Sequence, residues 1–352
     1  MNMTRREFVA GASATAAVSA CGAVERKEEF IWCMYQQLGS HMWSSAVKAP
    51  CAENGHYCGE STPIDDASWE RRMASCAKNG CNMMVVDIAE GMRFSTHPEL
   101  ALKGTRSQAW MNERVRRLRD MGITAIPSLN FSTAHDFWLG RYSRMISTPE
   151  YYRCCADLIG EAYDVFERPP LFFLGMDEEN PDNTSKCHLS VRRQGELLWH
   201  DIDFYAKTVQ RLGARPWMAA DYEWWEPTEY CKHVSKDILQ TNWYYGYDFD
   251  FEKLTGVTRT YVKGYFDLDK AGFDQVPACS NYVGVAHKKA GRTVNVENIP
   301  GTVAFARRAI DPKRLKGVMC MPWVSTTSAT DPKWIDACDQ FGAARQMQIS
   351  TM

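Results

Sequence analysis

The chain has no surplus of charge. Its 41 Lys and Arg against 43 Asp and Glu leave a net charge of −2 over 352 residues, which offers no basic footprint for nucleic acid. Its 13 cysteines include no Cys-x-x-Cys and no Cys/His ligand spacing, so no structural zinc site can be read from the sequence. No Gly-x-Gly-x-x-Gly follows the first apolar run, where residues 36–45 read QQLGSHMWSS. That argues against a doubly wound, dinucleotide-binding sheet. No linker or low-complexity stretch divides the chain, and no cofactor is expected. What is present is apolar and aromatic. Hydrophobic residues make up 45%, enough for a large core, and 12 Trp and 15 Tyr provide flat faces that suit sugar rings.

Residues 1–28 read apart from the fold. Thr4-Arg5-Arg6-Glu7-Phe8, then a weakly apolar stretch of Ala, Gly and Ser, resembles a twin-arginine export signal, with Val9 at the leucine position. The stretch is too short and too rich in small residues to span a bilayer as a mature helix. Val18-Ser19-Ala20-Cys21 resembles a lipobox, which implies a lipid on Cys21 and a tether to a membrane face; simple cleavage near Ala20 or Ala23 is the alternative. The expectation is an exported protein, periplasmic or membrane-anchored, in a compartment where disulfides form. Cys51 and Cys58, seven apart in one loop, are the best candidates for a pair. Cys33, Cys279 and Cys320 fall in apolar strand runs, where cysteine is usually a small buried hydrophobe.

From residue 29 to 347 apolar runs alternate with helical patterns. Strands are predicted over 29–36, 81–88, 123–131, 171–179, 214–221, 237–246, 274–282 and 316–325. Helices are predicted over 66–80, 108–122, 148–167, 190–213, 227–235, 259–271, 295–310 and 331–347. Thr148 is a good N-cap, with Pro149 at the first helical position. Gly80, Gly122, Gly213 and Gly317 read as helix stops before the next strand. Strand then helix, eight times over, predicts a single (β/α)8 TIM barrel.

In such barrels chemistry gathers at the carboxyl ends of the strands. Those ends supply Gln37, Asn130, Asp177, Glu178, Asp221, Glu223, Trp225, Trp243, Tyr282 and Trp323. The mouth is thus acidic on one side and aromatic on the other. No Lys or His stands at a strand terminus proper, so Schiff-base chemistry and a His–carboxylate metal site lack their residues. The focus is LFFLGMDEEN, residues 171–180, an apolar strand that runs into three successive acids. A solvated strand end is one account of those acids. Acid/base work on a glycosidic bond is the other: crowded carboxylates raise one another's pKa, so that one stays protonated and protonates the leaving oxygen.

Phe173-Leu-Gly-Met-Asp-Glu178 resembles the His-x-Gly-x-Asp-Glu motif of the β-N-acetylhexosaminidases, glycoside hydrolase family 20. Other segments resemble that family in the same order: IPSLN its third strand, LQTNWYYG its sixth, SNY the segment after the seventh and GVMCMPWVS its eighth. The resemblance implies a carbohydrate substrate whose own 2-acetamido oxygen attacks the anomeric carbon. Glu178 would be the general acid/base, and Asp177 would orient the acetamido group and stabilise the oxazolinium ion. Tyr282 would hydrogen-bond the acetamido oxygen, and Trp243 and Trp323 would wall the sugar pocket. The sequence departs from the family pattern at Phe173, which replaces the motif histidine, and at Asn130, which replaces the third-strand aspartate. The first-strand arginine is absent, and Thr326 stands where a glutamate is usual. A two-carboxylate retaining glycosidase using Glu223 and a non-catalytic glycan-binding lipoprotein are the alternatives.

Overall fold

The computed structural model describes residues 29–39, 61–185 and 189–350. Eight parallel strands form the barrel: β1 Ile31–Gln37, β2 Met83–Asp87, β3 Thr124–Ser128, β4 Leu171–Phe173, β5 Arg215–Ala219, β6 Leu239–Thr241, β7 Ala278–Cys279 and β8 Gly317–Cys320. They pair in the order β6-β5-β4-β3-β2-β1-β8-β7. Between β6 and β7 the ring has no ladder among the described residues and is joined by the isolated bridges Gln240–Gln275 and Trp243–Ala278 and by the Thr241 hydroxyl, which donates to the Val276 carbonyl. The helices are α1 Asp66–Lys78, α2 Gln108–Asp120, α3 Pro149–Val165, α4 Pro181–Thr184, α5 Glu196–Leu212, α6 Pro227–His233, α7 Gly256–Lys270, α8 Val285–Lys289, α9 Asn298–Ala309 and α10 Asp331–Ser350. The architecture is the (β/α)8 barrel expected from the alternation. The export signal, Cys21 and the Cys51/Cys58 pair lie outside the described residues.

Strand residues alternate between two cores, as a period of two requires. Cys33, Tyr35, Met83, Val85, Ile126, Phe173, Trp217 and Met319 fill the barrel interior. Met34, Met84, Val86, Phe172, Met218 and Cys320 face the helix layer. Asp65, Ser107 and Thr148 cap α1, α2 and α3 by accepting backbone N–H groups, and Pro149 opens α3. Gly80, Gly122 and Gly213 have positive φ and end helices as expected. Gly317 does not. It is the first residue of β8, and a Cβ there would lie 2.4 Å from that of Ile31 in β1. α9, the helix before β8, ends at Ile310 in an extended conformation without a glycine, whereas α7 is followed by Gly272 at φ 86. Among the described residues no helix is long and apolar enough to cross a membrane.

Two departures from the predicted boundaries shape the mouth. First, β4 ends at Phe173 rather than running on through the acids, because Gly175, Met176 and Glu178 all take positive φ. Second, α5 begins at Glu196, not at residue 190. The segment before it carries Arg193 into the interior. There its guanidinium meets Glu179 (Nη2–Oε2 2.5 Å, Nε–Oε1 2.9 Å) and Asp201 (3.1 Å). It also donates to the Phe131 carbonyl and the Tyr205 hydroxyl, each at 2.8 Å. Glu179 further accepts the backbone N–H of Thr133 and of Arg193. The third acid of the motif is therefore a structural ion pair, fully desolvated and fully hydrogen-bonded.

Removing one partner of such a pair strands a buried charge. Arg193→Ala is expected to cost about 3–5 kcal/mol of unfolding free energy, and the double change Glu179→Gln, Arg193→Met to recover part of that. Urea melts of the three proteins measure both. An Arg193→Ala loss within 1 kcal/mol, in the range of a surface pair, refutes the assignment.

Candidate active site

The site begins with Asn130, just beyond β3. Its carbonyl oxygen accepts the N–H of Ser132 and of Met176, both at 3.1 Å, which fixes the chain after β4 in its left-handed course. Its amide donates to Asp177 Oδ1 at 2.7 Å. Gly175 is required here: a Cβ would sit 2.2 Å from Asn130 Cγ, and φ is 65°. An aspartate at 130 would have no amide proton for Asp177 and would set two carboxylates against each other.

His135, in the loop after β3, completes the group. It is buried, and its Nε2 lies 3.4 Å from Asp177 Oδ2 and 3.3 Å from Glu178 Oε2. One imidazole thus meets both carboxylates that the sequence singled out. Burial works against its charge, but Asp177 and Glu178 outweigh burial and hold its pKa well above the ordinary value. Burial likewise pushes Asp177 up, yet the His135 charge and the His135 and Asn130 hydrogen bonds prevail and hold it below the usual carboxylate value.

Two further carboxyl groups close around the pair and behave oppositely. Asp221 accepts the Glu178 N–H at 2.9 Å. Burial, then the charge of Asp177, pushes it up to about 8. Asp87, at the end of β2, accepts from Ser128 Oγ at 3.3 Å. Burial pushes it up to about 7, against a hydrogen bond with Tyr35 and with help from the charges of Glu90 and Asp177. The Asp177 charge thus raises both of these carboxyl groups, while His135 and Asn130 hold Asp177 itself ionised.

Asp177 and Asn130 line a small cavity at the carboxyl end of the barrel together with Tyr35, Phe173, Ala219, Thr241, Trp243, Met321 and Trp323. Tyr35 and Trp323 lie 5.3 Å apart between ring centroids. Tyr245 stacks on Trp243 at 5.2 Å and accepts the Trp323 indole N–H at 3.0 Å, so it bridges the two tryptophans. Phe173, where the resembled motif has histidine, packs edge-on against Tyr35 and Trp217 as part of the barrel interior.

Of the other sequence candidates, Tyr282 stands beyond Tyr245, with ring centroids 6.5 Å apart. Gln37 is buried at the end of β1, opposite Asp87 in register, and its carbonyl accepts the Thr326 hydroxyl at 2.5 Å. Glu223 and Trp225 are not brought to the cavity. Glu223 turns towards α7, where burial, then the hydrogen bond and charge of Asp267, push it up to about 8. Trp225 follows the short 3-10 turn Asp221–Trp224 and is 43% exposed. Trp224 takes the inward place and packs on Trp243 at 4.6 Å. The 3-10 turn explains the exchange, since it rotates successive side chains by about 120° where an extended strand end alternates them.

Neither family models nor curated proteins match this chain. Solved structures do. In fold it is similar to glycoside hydrolase family 20. An exo-β-N-acetylglucosaminidase of Vibrio harveyi, solved with N-acetylglucosamine, superposes with TM-score 0.60 at 13% identity, over 90% of this chain and 54% of that one. A β-N-acetylhexosaminidase gives 0.60 at 12%, over 91% and 76%. The Streptomyces plicatus β-hexosaminidase, solved with product, gives 0.58 at 12%, over 90% and 64%. The chain spans about half the length of the Vibrio enzyme. At these identities the likeness concerns the fold.

The His135 pairing has a pH signature. Asp177 titrates lower when folded, so its contribution is present above about pH 4 and is lost as pH falls through the folded value. His135 titrates higher when folded, so its contribution is full below about pH 6.5 and is lost as pH rises through its folded value. His135→Gln should destabilise most between about pH 4 and 6.5, with the difference narrowing on either side. Urea melts across pH measure this, and a pH-independent difference refutes the pairing. Asn130→Asp should raise the Asp177 pKa, read by carboxyl carbon NMR; an unchanged value would show that Asn130 does not hold that charge.

Proposed function

We propose that the protein is an exported, hexosaminidase-like glycoside hydrolase in which Glu178 is the general acid/base and Asp177 assists the substrate's 2-acetamido group. The observation that carries this reading is His135, a buried imidazole within 3.4 Å of both carboxylates, one of which lines the aromatic cavity. The solved neighbours include enzymes named for N-acetylglucosamine chemistry, two of them holding that sugar.

In the proposed reaction a 2-acetamido sugar lies against Trp243 and Trp323. In its protonated form Glu178 gives that proton to the leaving oxygen as the acetamido oxygen attacks the anomeric carbon. The ring that forms carries positive charge, and Asp177, held ionised by His135 and Asn130, stabilises it. Water then opens the ring with Glu178 taking back a proton. No enzyme nucleophile is needed. Phe173 removes the motif histidine, and His135 supplies an imidazole from the loop after β3. The two-carboxylate alternative loses support, because Glu223 faces α7 rather than the cavity.

Aryl glycosides with and without a 2-acetamido group test the reading. Cleavage is expected only for the acetamido sugars, and Glu178→Gln and Asp177→Asn should each lower kcat/KM by roughly 10²–10⁴-fold. A thiazoline mimic of the cyclised intermediate should inhibit; failure to inhibit removes the neighbouring-group mechanism. Sugar binding without turnover supports a glycan-binding protein instead. Export rests on Arg5-Arg6 and Phe8 ahead of the small-residue stretch. Mass spectrometry of the mature amino terminus tests it and reads any lipid on Cys21 directly.

A further inference from the structure

A second cluster of reactive groups lies at the opposite pole of chemistry from the carboxylates. Cys76 in α1, Cys81 just ahead of β2 and Cys338 in α10 are buried, and their sulfur atoms all lie within 4.8 Å of one another. Among the described residues no other group of three or more His, Cys, Asp or Glu side chains converges in this way. Cys76 and Cys81 share one helix-and-turn segment, but Cys338 stands far along the chain, so the meeting of all three is a product of the fold.

The backbone builds the meeting place. Cys81 N donates to the Cys76 carbonyl at 3.0 Å, which folds the turn after α1 back on itself. Gly80, at φ 69, makes that turn possible. Asn79 caps α1 and ties the turn to α10: its amide donates to the Ser75 carbonyl (3.0 Å), to Asp339 Oδ1 (2.9 Å) and to Cys338 Sγ (3.5 Å). Gly342, one turn beyond Cys338, leaves room for this approach, since a Cβ there would lie 2.3 Å from Asn79 Oδ1.

We infer that Cys76, Cys81 and Cys338 form a thiolate site for one soft d10 cation, Zn²⁺ or Cu⁺. Metal–sulfur bonds of about 2.3 Å place the sulfurs of a tetrahedral or trigonal site about 3.8–4.0 Å apart. The cluster therefore needs a contraction of no more than about 1 Å. Thiolates select soft ions over Mg²⁺ or Ca²⁺. Each thiol releases its proton as its sulfur takes the metal, so a divalent ion leaves a site of charge −1 and a monovalent one −2. The Asn79 amide already donates to one of those sulfurs, as the outer partner of a ligand does. The three-sulfur set suits trigonal Cu⁺ directly, whereas Zn²⁺ would complete its tetrahedron with an external ligand. Either ion would staple α1 and the start of β2 to α10, which gives the site a structural role away from the barrel mouth.

The test uses the full chain, reduced and freed of metal, then loaded with Zn²⁺, Cu⁺ or Cd²⁺ in separate arms and desalted. Elemental analysis is expected to find one ion retained per chain. Cd²⁺ should add thiolate charge-transfer absorption, and metal should raise the melting temperature. Cys338→Ala should abolish all three effects, while Cys154→Ala, buried in α3 away from the cluster, should keep them. Should Cys338→Ala fail to fold, alkylation of the wild type read by mass spectrometry decides: the metal must protect Cys76, Cys81 and Cys338 selectively. No stoichiometric retention in any arm overturns the site. So does retention unaffected by Cys338→Ala, protection of other cysteines instead, or a Cys76–Cys81 disulfide in the protein as isolated.

Discussion

The amide of Asn130 does two things at once, and the second, donation, is beyond a carboxylate. Its oxygen holds the N–H groups of Ser132 and Met176, and its nitrogen gives a proton to Asp177. That one side chain fixes where β4 stops and in which direction each of the next residues points. Asp177 turns into the cavity, and the Glu178 N–H meets Asp221. Glu179 is delivered to Arg193 on the other side of the chain. Three like charges in a row are tolerated because the first two share the His135 imidazole and the third is paired with Arg193.

Those environments set the charges of the site. A buried carboxylate ordinarily climbs in pKa, as Asp87 and Asp221 do. Asp177 escapes because a buried imidazolium and an amide face it. The contrast supplies what stabilising a developing cation needs, a fixed negative charge already in place. Glu179 shows the other use of a buried acid, in which every oxygen is matched and the result is rigidity rather than reactivity.

The barrel was legible because its signals are repeated: eight apolar runs, capped helices such as Thr148-Pro149, and glycine stops at 80, 122 and 213. Gly317 misled because a glycine before a strand can mark close packing as well as a helix end. The acids at 177 and 178 were legible as the charged end of an apolar run. His135 was not, since it stands in a loop whose sequence has no periodicity and its partner carboxylates are more than 40 residues away. Trp224 and Trp225 exchanged roles because one 3-10 turn rotates the chain, which residue order alone does not reveal. Cys338 lies 257 positions beyond Cys81, so ligand spacing could not pair them.

The ring of strands is closed at β6 and β7 by bridges rather than a ladder, and one bridge is Trp243 with Ala278. The same tryptophan forms the aromatic wall beside Tyr245. One residue's main chain and side chain therefore serve both the seam of the cylinder and the aromatic wall of the cavity. Remodelling that wall also perturbs the last seam of the barrel, so here the shape of the cavity and mechanical closure cannot be tuned independently.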